Sequence, residues 1–150
     1  MKTIKPILFF LLFFFTISCV NQKQKDQEEI KQTVKNYFNA VKANDLEKCK
    51  LLIEDSENYL GVIQGEFNFL HKNYDEINPN DVLLRNILVK DTLITFTNEK
   101  EKYVQYIIKN DKNPNNLKKP LIITFMFYKP VGYDKIFNRV ILENHIGWDK

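Results

Sequence analysis

The sequence predicts an α+β domain in which N-terminal helices pack on a curved, mostly antiparallel sheet of four to five strands. Two observations lead to this prediction. Between residues 30 and 74, apolar side chains recur at every third or fourth position, as they do on one face of a helix. Between residues 83 and 148, short apolar runs alternate with polar turns, as they do in strands. A chain of 150 residues with this single change of pattern and no repeat predicts one domain.

The N-terminal segment predicts an export signal. Lys2 and Lys5 precede an unbroken apolar run over residues 7–15, and Thr16-Ile17-Ser18 leads directly into Cys19. The apolar stretch is shorter than the roughly 20 residues that a membrane-spanning helix needs. A basic start, a short apolar run and small residues before a cleavage point are typical of a signal peptide. Plain secretory cleavage and an uncleaved anchor are the alternatives to lipid attachment.

A cysteine directly after the cleavage point resembles the export signal of bacterial lipoproteins. The resemblance implies a diacylglyceryl thioether on Cys19 and an acylated amine, so that the membrane is a partner through the N-terminal lipid. The chain then divides into a signal peptide (1–18), a lipidated cysteine with a flexible tether (19–25) and one α+β domain (26–150). The resemblance also implies an extracytoplasmic location in the cell envelope, at the outer membrane or cell surface.

Charge and cysteine content narrow the classes of partner. Removal of the 18 signal residues leaves 132 of the 150 residues. It also removes two lysines, so the formal net charge falls from +3 to +1. Arg85 and Arg139 are the only arginines, and the lysines are scattered. This distribution predicts no nucleic-acid partner, because such surfaces concentrate basic residues on one face. Cys49, inside a helical pattern, is expected to be a small buried residue.

Three helices are predicted in the first half. The first starts at Asp26, with acidic groups in its first turn, and stops near Asn44. Asp45 then caps a short second helix, and a third helix follows Ser56. Gly61 lies in this third helix, four residues before another glycine, and the pair predicts close packing of another element. The apolar residues of the three helices are Ile30, Val34, Tyr37, Phe38 and Val41; Leu46, Cys49, Leu52 and Ile53; and Leu60, Ile63, Phe67, Leu70 and Tyr74.

The second half predicts five strands. They are expected at about residues 83–89, 92–97, 103–108, 121–128 and 137–148. The run at 121–128 is apolar on both faces, as expected of a central strand. In the last strand, alternation places Val140, Leu142 and Asn144 on the predicted core face and Arg139 and Ile141 on the other.

The pattern Ile30-x3-Val34-x2-Tyr37-Phe38-x2-Val41-x3-Asp45-Leu46-x6-Ile53 resembles the opening of the NTF2-like (cystatin-like) superfamily. The resemblance covers residues 28–53 and implies a bent sheet that forms a cone with helices over an apolar pocket. Some members use this pocket as an active site and others only bind there. The ligand-binding residues implied here are Tyr37, Tyr106, Asn144 and Trp148.

The sequence lacks the standard catalytic motifs and the spacing of a zinc site. We therefore expect no catalytic residue, metal or cofactor. The leading expectation is a non-catalytic, lipid-anchored domain that binds a small apolar ligand or another envelope protein. An enzyme that uses a pocket carboxylate or His145 is one alternative. An inhibitor or immunity-type lipoprotein, which blocks a partner through the outer face of its sheet, is another.

Overall fold

The structure, a computed structural model, describes residues 4–77, 88–94, 99–108 and 121–142, with helices first and strands afterwards. The strands form one four-stranded antiparallel sheet in the order β1-β2-β3-β4, which confirms the predicted α+β class. The helical elements are α1 (Ile4–Lys42), α2 (Leu46–Leu51), a 3-10 helix (Ser56–Tyr59), α3 (Leu60–Lys72) and α4 (Tyr74–Ile77). The strands are β1 (Lys90–Ile94), β2 (Glu99–Ile108), β3 (Leu121–Tyr128) and β4 (Asn138–Leu142).

Helix α1 begins much earlier than the predicted start at Asp26, and residues 20–25 are helical where a flexible tether was expected. Residues 16–25 contain no glycine or proline and are rich in Gln and Lys, so nothing in them ends a helix. Asp26 is buried in mid-helix and accepts a hydrogen bond from Gln22 Nε2 at 2.7 Å. Within the described residues, no helix combines the length and apolar character required to cross a membrane. Cleavage after residue 18 stays a prediction.

The junction between α1 and α2 follows the sequence prediction. Asn44 has a φ of +54°, a left-handed conformation that asparagine tolerates, and α1 has ended two residues earlier. Asp45 is the N-cap of α2, and its Oδ1 accepts a hydrogen bond from the Lys48 backbone N–H at 3.0 Å. The predicted cap is confirmed.

The packing predicted at Gly61 and Gly65 is wrong. A Cβ atom built on either glycine meets nothing within 4 Å, and both residues are exposed on α3. The residues that α3 buries are Ile63, Phe67 and Leu70, on the other side of the helix. The spacing correctly predicts that the two glycines share one face of α3. It does not show that this face points to solvent, because the apolar residues of the opposite face pack against the core.

The strand predictions are confirmed in part. Strand β3 has the predicted bounds and lies between β2 and β4, so its central position is confirmed. Of the strand predicted at 83–89, residues 83–87 lie outside the described residues, and Leu88 and Val89 are not in a strand. Residues 143–148 of the last predicted strand also lie outside them.

The predicted faces of the last strand are reversed for its described part. In the register of the sheet, Arg139 lies opposite Phe125 and Ile141 opposite Ile123. Phe125 and Ile123 are fully buried, and paired residues of neighbouring strands share a face. Arg139 and Ile141 are therefore on the inner face, whereas Val140 pairs with Thr124 on the outer face. The prediction failed because it treated arginine as a solvent-facing residue.

The segment before β4 joins the helical half of the chain to the sheet. Ile136 forms an isolated parallel bridge with Ile53. Its N–H donates to the Leu52 carbonyl at 2.7 Å, and its carbonyl accepts from the Glu54 N–H at 2.9 Å. The Phe137 N–H donates to the Met126 carbonyl of β3 at 2.9 Å. These bonds fix the position of β4 against the end of α2, where the cleft described below opens.

Candidate functional site

Two of the predicted ligand-binding residues lie in the hydrophobic core. Tyr37 on α1 is 1 % exposed and Tyr106 on β2 is 6 % exposed. Both contact the Phe125 ring edge-on, at centroid distances of 5.0 and 6.2 Å. Neither residue lines either of the two clefts described below. The other two predicted residues, Asn144 and Trp148, lie outside the described residues.

The backbone of Cys19 lies within α1, and nothing is described of its side chain. Cys49, the second cysteine, is fully buried as predicted. Burial raises the pKa of its thiol to about 11, and the Tyr37 hydroxyl, its hydrogen-bond partner, acts in the opposite sense. A thiol with so high a pKa holds little thiolate near neutral pH, so it is unreactive in the folded protein.

The strongest candidate site is a cleft of about 410 Å³ between β4 on one side and the 3-10 helix with α3 on the other. We call it the Arg139–Glu66 cleft, after the two charged residues that meet in it. The volume lies within the range of small-molecule sites, roughly 300–1,000 Å³. Its lining residues are Ile53, Glu54, Asp55, Tyr59, Val62, Glu66, Phe137, Asn138 and Arg139.

A buried ion pair crosses this cleft. Arg139 Nε, on β4, lies 2.5 Å from Glu66 Oε2, on α3. The side chains are 7 % and 21 % exposed, and neither of the two atoms makes a well-directed hydrogen bond within the described residues. Burial raises the pKa of the Glu66 carboxyl, and the attraction of Arg139 offsets part of that increase. An ion pair in this position is costly to desolvate.

The rim of the cleft is apolar and exposed. Tyr59 is 58 % exposed, Val62 59 % and Phe137 39 %, although large apolar side chains favour burial. The Phe137 ring also contacts Tyr128 at 5.2 Å between centroids, which holds it at the edge of the sheet. Three large apolar groups around one cavity form a surface that gains free energy when a ligand covers it.

The cleft carries an excess of negative charge. Glu54 and Asp55 lie at its edge, where the left-handed Asp55 (φ +52°) turns the chain into the 3-10 helix. Asp55 accepts a hydrogen bond from Asn58 Nδ2 at 2.6 Å, which orients its carboxylate. Since Arg139 is occupied by Glu66, these two carboxylates have no cationic partner among the described residues. The arrangement suits a positively charged ligand with an apolar body.

The described residues place no histidine in the cleft. The Nδ1 atom of His71 lies 2.8 Å from the Val41 carbonyl oxygen, and its ring stacks on Phe67 at 6.4 Å between centroids. His71 thus supports the contact between α1 and α3. His145 lies outside the described residues, and no cluster of potential metal ligands occurs among the residues that are described.

Sequence reasoning missed both members of the ion pair. Glu66 sits between an exposed glycine and the buried Phe67, which gives no sign of its direction. Arg139 had one usable signal. The chain contains only two arginines among 22 basic residues, and this one directly precedes the apolar run Val140-Ile141-Leu142. An arginine in that position favours a planar, buried ion pair over a solvated charge.

In comparisons with known proteins, no family model, no curated protein and no solved structure matches the chain.

Proposed function

We propose that this protein is a lipid-anchored, non-catalytic domain of the cell envelope that binds a small amphipathic cation in the Arg139–Glu66 cleft. The observation that carries the proposal is a cleft with exposed apolar groups at its rim, a buried ion pair across it and two carboxylates that have no cationic partner among the described residues. The order of helices and strands, together with the opening pattern at residues 28–53, supports an NTF2-like domain with a binding pocket.

The cleft favours binding over catalysis. Its lining contains no His, Cys or Ser within the described residues, and its most buried carboxylate, Glu66, faces Arg139. A carboxylate that already compensates a buried guanidinium is poorly placed to abstract a proton. The pair instead holds α3 and β4 at a fixed separation, so that the cavity between them keeps its shape in the absence of ligand.

Ligand selection follows from charge and shape. The apolar part of the ligand covers Tyr59, Val62 and Phe137, and its cationic group lies near Glu54 and Asp55. An aromatic amine such as phenethylamine fulfils both requirements. At roughly 0.5 kcal/mol for each of its non-hydrogen atoms, its dissociation constant is about millimolar. A charge interaction at this partly solvated edge contributes about 1 kcal/mol, or about fivefold in affinity.

The test is calorimetric or NMR titration of the full chain with three probes of one shape: phenethylamine, phenylethanol and phenylpropionate. The expected order of affinity is amine, then alcohol, then carboxylate. Val62→Arg should abolish binding of the amine, because it fills the rim and adds a positive charge. Gln64→Arg is the matched control, since Gln64 is exposed on the same helix and does not line the cleft. Equal affinity for the three probes, or an unchanged affinity in Val62→Arg, contradicts the proposal.

The two rim carboxylates can be tested separately. The double variant Glu54→Gln with Asp55→Asn should bind phenethylamine about fivefold or more weakly and should bind phenylethanol as the parent does. Glu57→Gln is the control, because Glu57 is exposed in the 3-10 helix and lies outside the lining. If Glu57→Gln weakens amine binding as much as the double variant does, the effect is one of long-range charge and the two rim carboxylates do not contact the amine.

Lipid attachment has its own test. Mass spectrometry of the native protein should find a chain that begins at Cys19 and carries acyl groups on its sulfur and amine. A Cys19→Ala variant should keep the signal segment and carry no acyl group, because the thioether forms on the Cys19 sulfur. An intact N-terminal methionine or an unmodified Cys19 thiol in the native protein would remove the anchor from the proposal.

A further inference from the structure

A second cleft, of about 590 Å³, opens where α1, the β1–β2 pair and the turn after β3 meet, and it concentrates lysines. Lys23 reaches it from α1, Lys100 and Lys102 from β2, and Lys129 from the turn. We call it the lysine cleft. It shares no lining residue with the Arg139–Glu66 cleft.

Two of the carboxylates in the lysine cleft are already engaged. Asp91 Oδ1 lies 2.6 Å from Lys102 Nζ, and this contact lowers the pKa of Asp91. Asp26 accepts the hydrogen bond from Gln22 described above. Glu101, the third, is 4 % exposed, and burial raises the pKa of its carboxyl. Asp91 is therefore paired with a lysine, Asp26 is hydrogen-bonded to a neutral amide and Glu101 is largely buried, so the lining holds four lysines against three carboxylates.

Three ammonium groups remain available. Lys23, Lys100 and Lys129 are exposed, and none is within ion-pair distance of a carboxylate among the described residues. Lys23, on α1, and Lys100, on β2, both lie close enough to Asp91 to help lower its pKa. Cations that converge on a concave surface raise the local concentration of anions.

The position of the cleft along the chain identifies the anion. Lys23 follows Cys19 by four residues of continuous helix, which at 1.5 Å per residue is about 6 Å. The headgroup layer on each side of a bilayer is about 5–8 Å thick, half the difference between its total and hydrocarbon thickness. If the lipid on Cys19 is embedded in the hydrocarbon and α1 leaves the bilayer along its normal, Lys23 lies within the headgroup layer, where the phosphates are.

We infer that the lysine cleft binds the headgroup phosphate of anionic phospholipids in the membrane that holds the anchor. The inference rests on the lipid attachment given under the proposed function. The contact fixes the orientation of the domain on the bilayer, because one face is held at two points, the lipid and the cleft. The Arg139–Glu66 cleft, which uses other residues, remains accessible to its ligand.

The test measures the acetylation rate of each lysine by mass spectrometry, with the native lipid-bearing protein in nanodiscs. One set of nanodiscs contains phosphatidylcholine alone, and the other contains phosphatidylcholine with phosphatidylglycerol. The anionic discs should slow Lys23, Lys100 and Lys129 about fivefold, the factor that an anionic surface contributes per lysine. Lys42 and Lys72, exposed at the ends of α1 and α3, are the internal controls and should not change.

Further arms separate the sources of phosphate and the causes of failure. Lys100→Gln with Lys129→Gln should remove the protection of Lys23, whereas Lys42→Gln with Lys72→Gln should keep it. Glycerol phosphate added to the phosphatidylcholine discs should not slow acetylation of the three lysines. If it slows them as much as the anionic discs do, the cleft binds soluble phosphate esters and the headgroup assignment is overturned.

Absence of protection, or equal slowing of the control lysines, also overturns the inference. Mass spectrometry of the same sample records the lipid on Cys19, and an unmodified Cys19 removes the geometry on which the inference rests. Titration of phenethylamine in the double lysine variant reports on the other cleft independently. A failure of the lysine cleft is thereby distinguished from a failure of the proposed function.

Discussion

Removal of one member of the Arg139–Glu66 pair should destabilise the protein more than any change to an exposed charge. In Arg139→Met, the Glu66 carboxylate remains in a site that is only 21 % exposed and loses its counter-charge. Loss of one partner of a fully buried pair costs about 3–5 kcal/mol. Because Glu66 retains some contact with solvent, we expect about 2–3 kcal/mol near neutral pH. For a domain of this size, that lowers the melting temperature by roughly 10 °C.

The loss should depend on pH in a defined direction. Burial already raises the pKa of Glu66 above its ordinary value of 4.5, and Arg139 counteracts part of that increase. Without Arg139, the pKa of Glu66 in the folded state rises further. A carboxyl with a raised pKa holds its proton more firmly in the folded than in the unfolded state, so stability decreases as pH rises through the folded pKa. Arg139→Met should therefore regain stability as the pH falls toward about 4.5.

The assay is thermal unfolding of the full chain, followed by circular dichroism near neutral pH and at mildly acidic pH. Lys129→Met is the control, since Lys129 is exposed and its removal should change the free energy of unfolding by no more than about 0.5 kcal/mol. The double variant Glu66→Leu with Arg139→Met should recover most of the loss, because it leaves no unpaired charge. If Arg139→Met is no less stable than Lys129→Met, or if the double variant shows the sum of the single losses, the pair is not coupled as described.

Changes at four further positions test other parts of the fold. Gly65→Ala should increase the free energy of unfolding by about 0.5–1 kcal/mol, because open space surrounds Gly65 within α3; a decrease would mean that the glycine is needed there. Asp45→Ala should cost about 1 kcal/mol through loss of the α2 cap, and Asp45→Asn should restore most of it. Tyr106→Phe should leave stability unchanged or higher, because its buried hydroxyl has no hydrogen-bond partner among the described residues. Tyr37→Phe should cost about 1 kcal/mol, since its hydroxyl is bonded to Cys49, and equal losses in the two variants would contradict the assignment. Denaturant unfolding measures all four.

The fold class and several local features were predictable because short-range physics decides them. The α1 stripe of Ile30, Val34 and Val41 is fully buried, as its helical spacing predicts. Asp45 caps α2 because an aspartate before an apolar helical run has an acceptor within reach of the first free N–H groups. Strand β3 is recognisable because so long an apolar run is unfavourable at an exposed sheet edge; it lies between β2 and β4, and its inner face is buried in the core.

The candidate site was not predictable, because it depends on long-range pairing. Arg139 faces inward only because its register places it opposite Phe125, and the period of two allows either face until that register is known. Glu66 becomes its partner because α3 packs with Phe67 toward the core, which turns the preceding residue toward β4. The continuous α1 was missed for a different reason. A signal segment and a domain helix were treated as separate units, although no helix-breaking residue separates them.

The bridge between Ile53 and Ile136 has a consequence for how the protein is made. One wall of the Arg139–Glu66 cleft comes from the first half of the chain and the other from its end, and the bridge is what aligns them. During vectorial synthesis or export, the helical wall emerges long before residues 136–139. Until then, the backbone at Leu52 and Glu54 lacks its hydrogen-bond partner, Ile136. A nascent or clipped chain that stops before residue 136 has no complete cavity. Occupancy of the cleft therefore reports that the chain has been made at least through residue 139 and has folded around it.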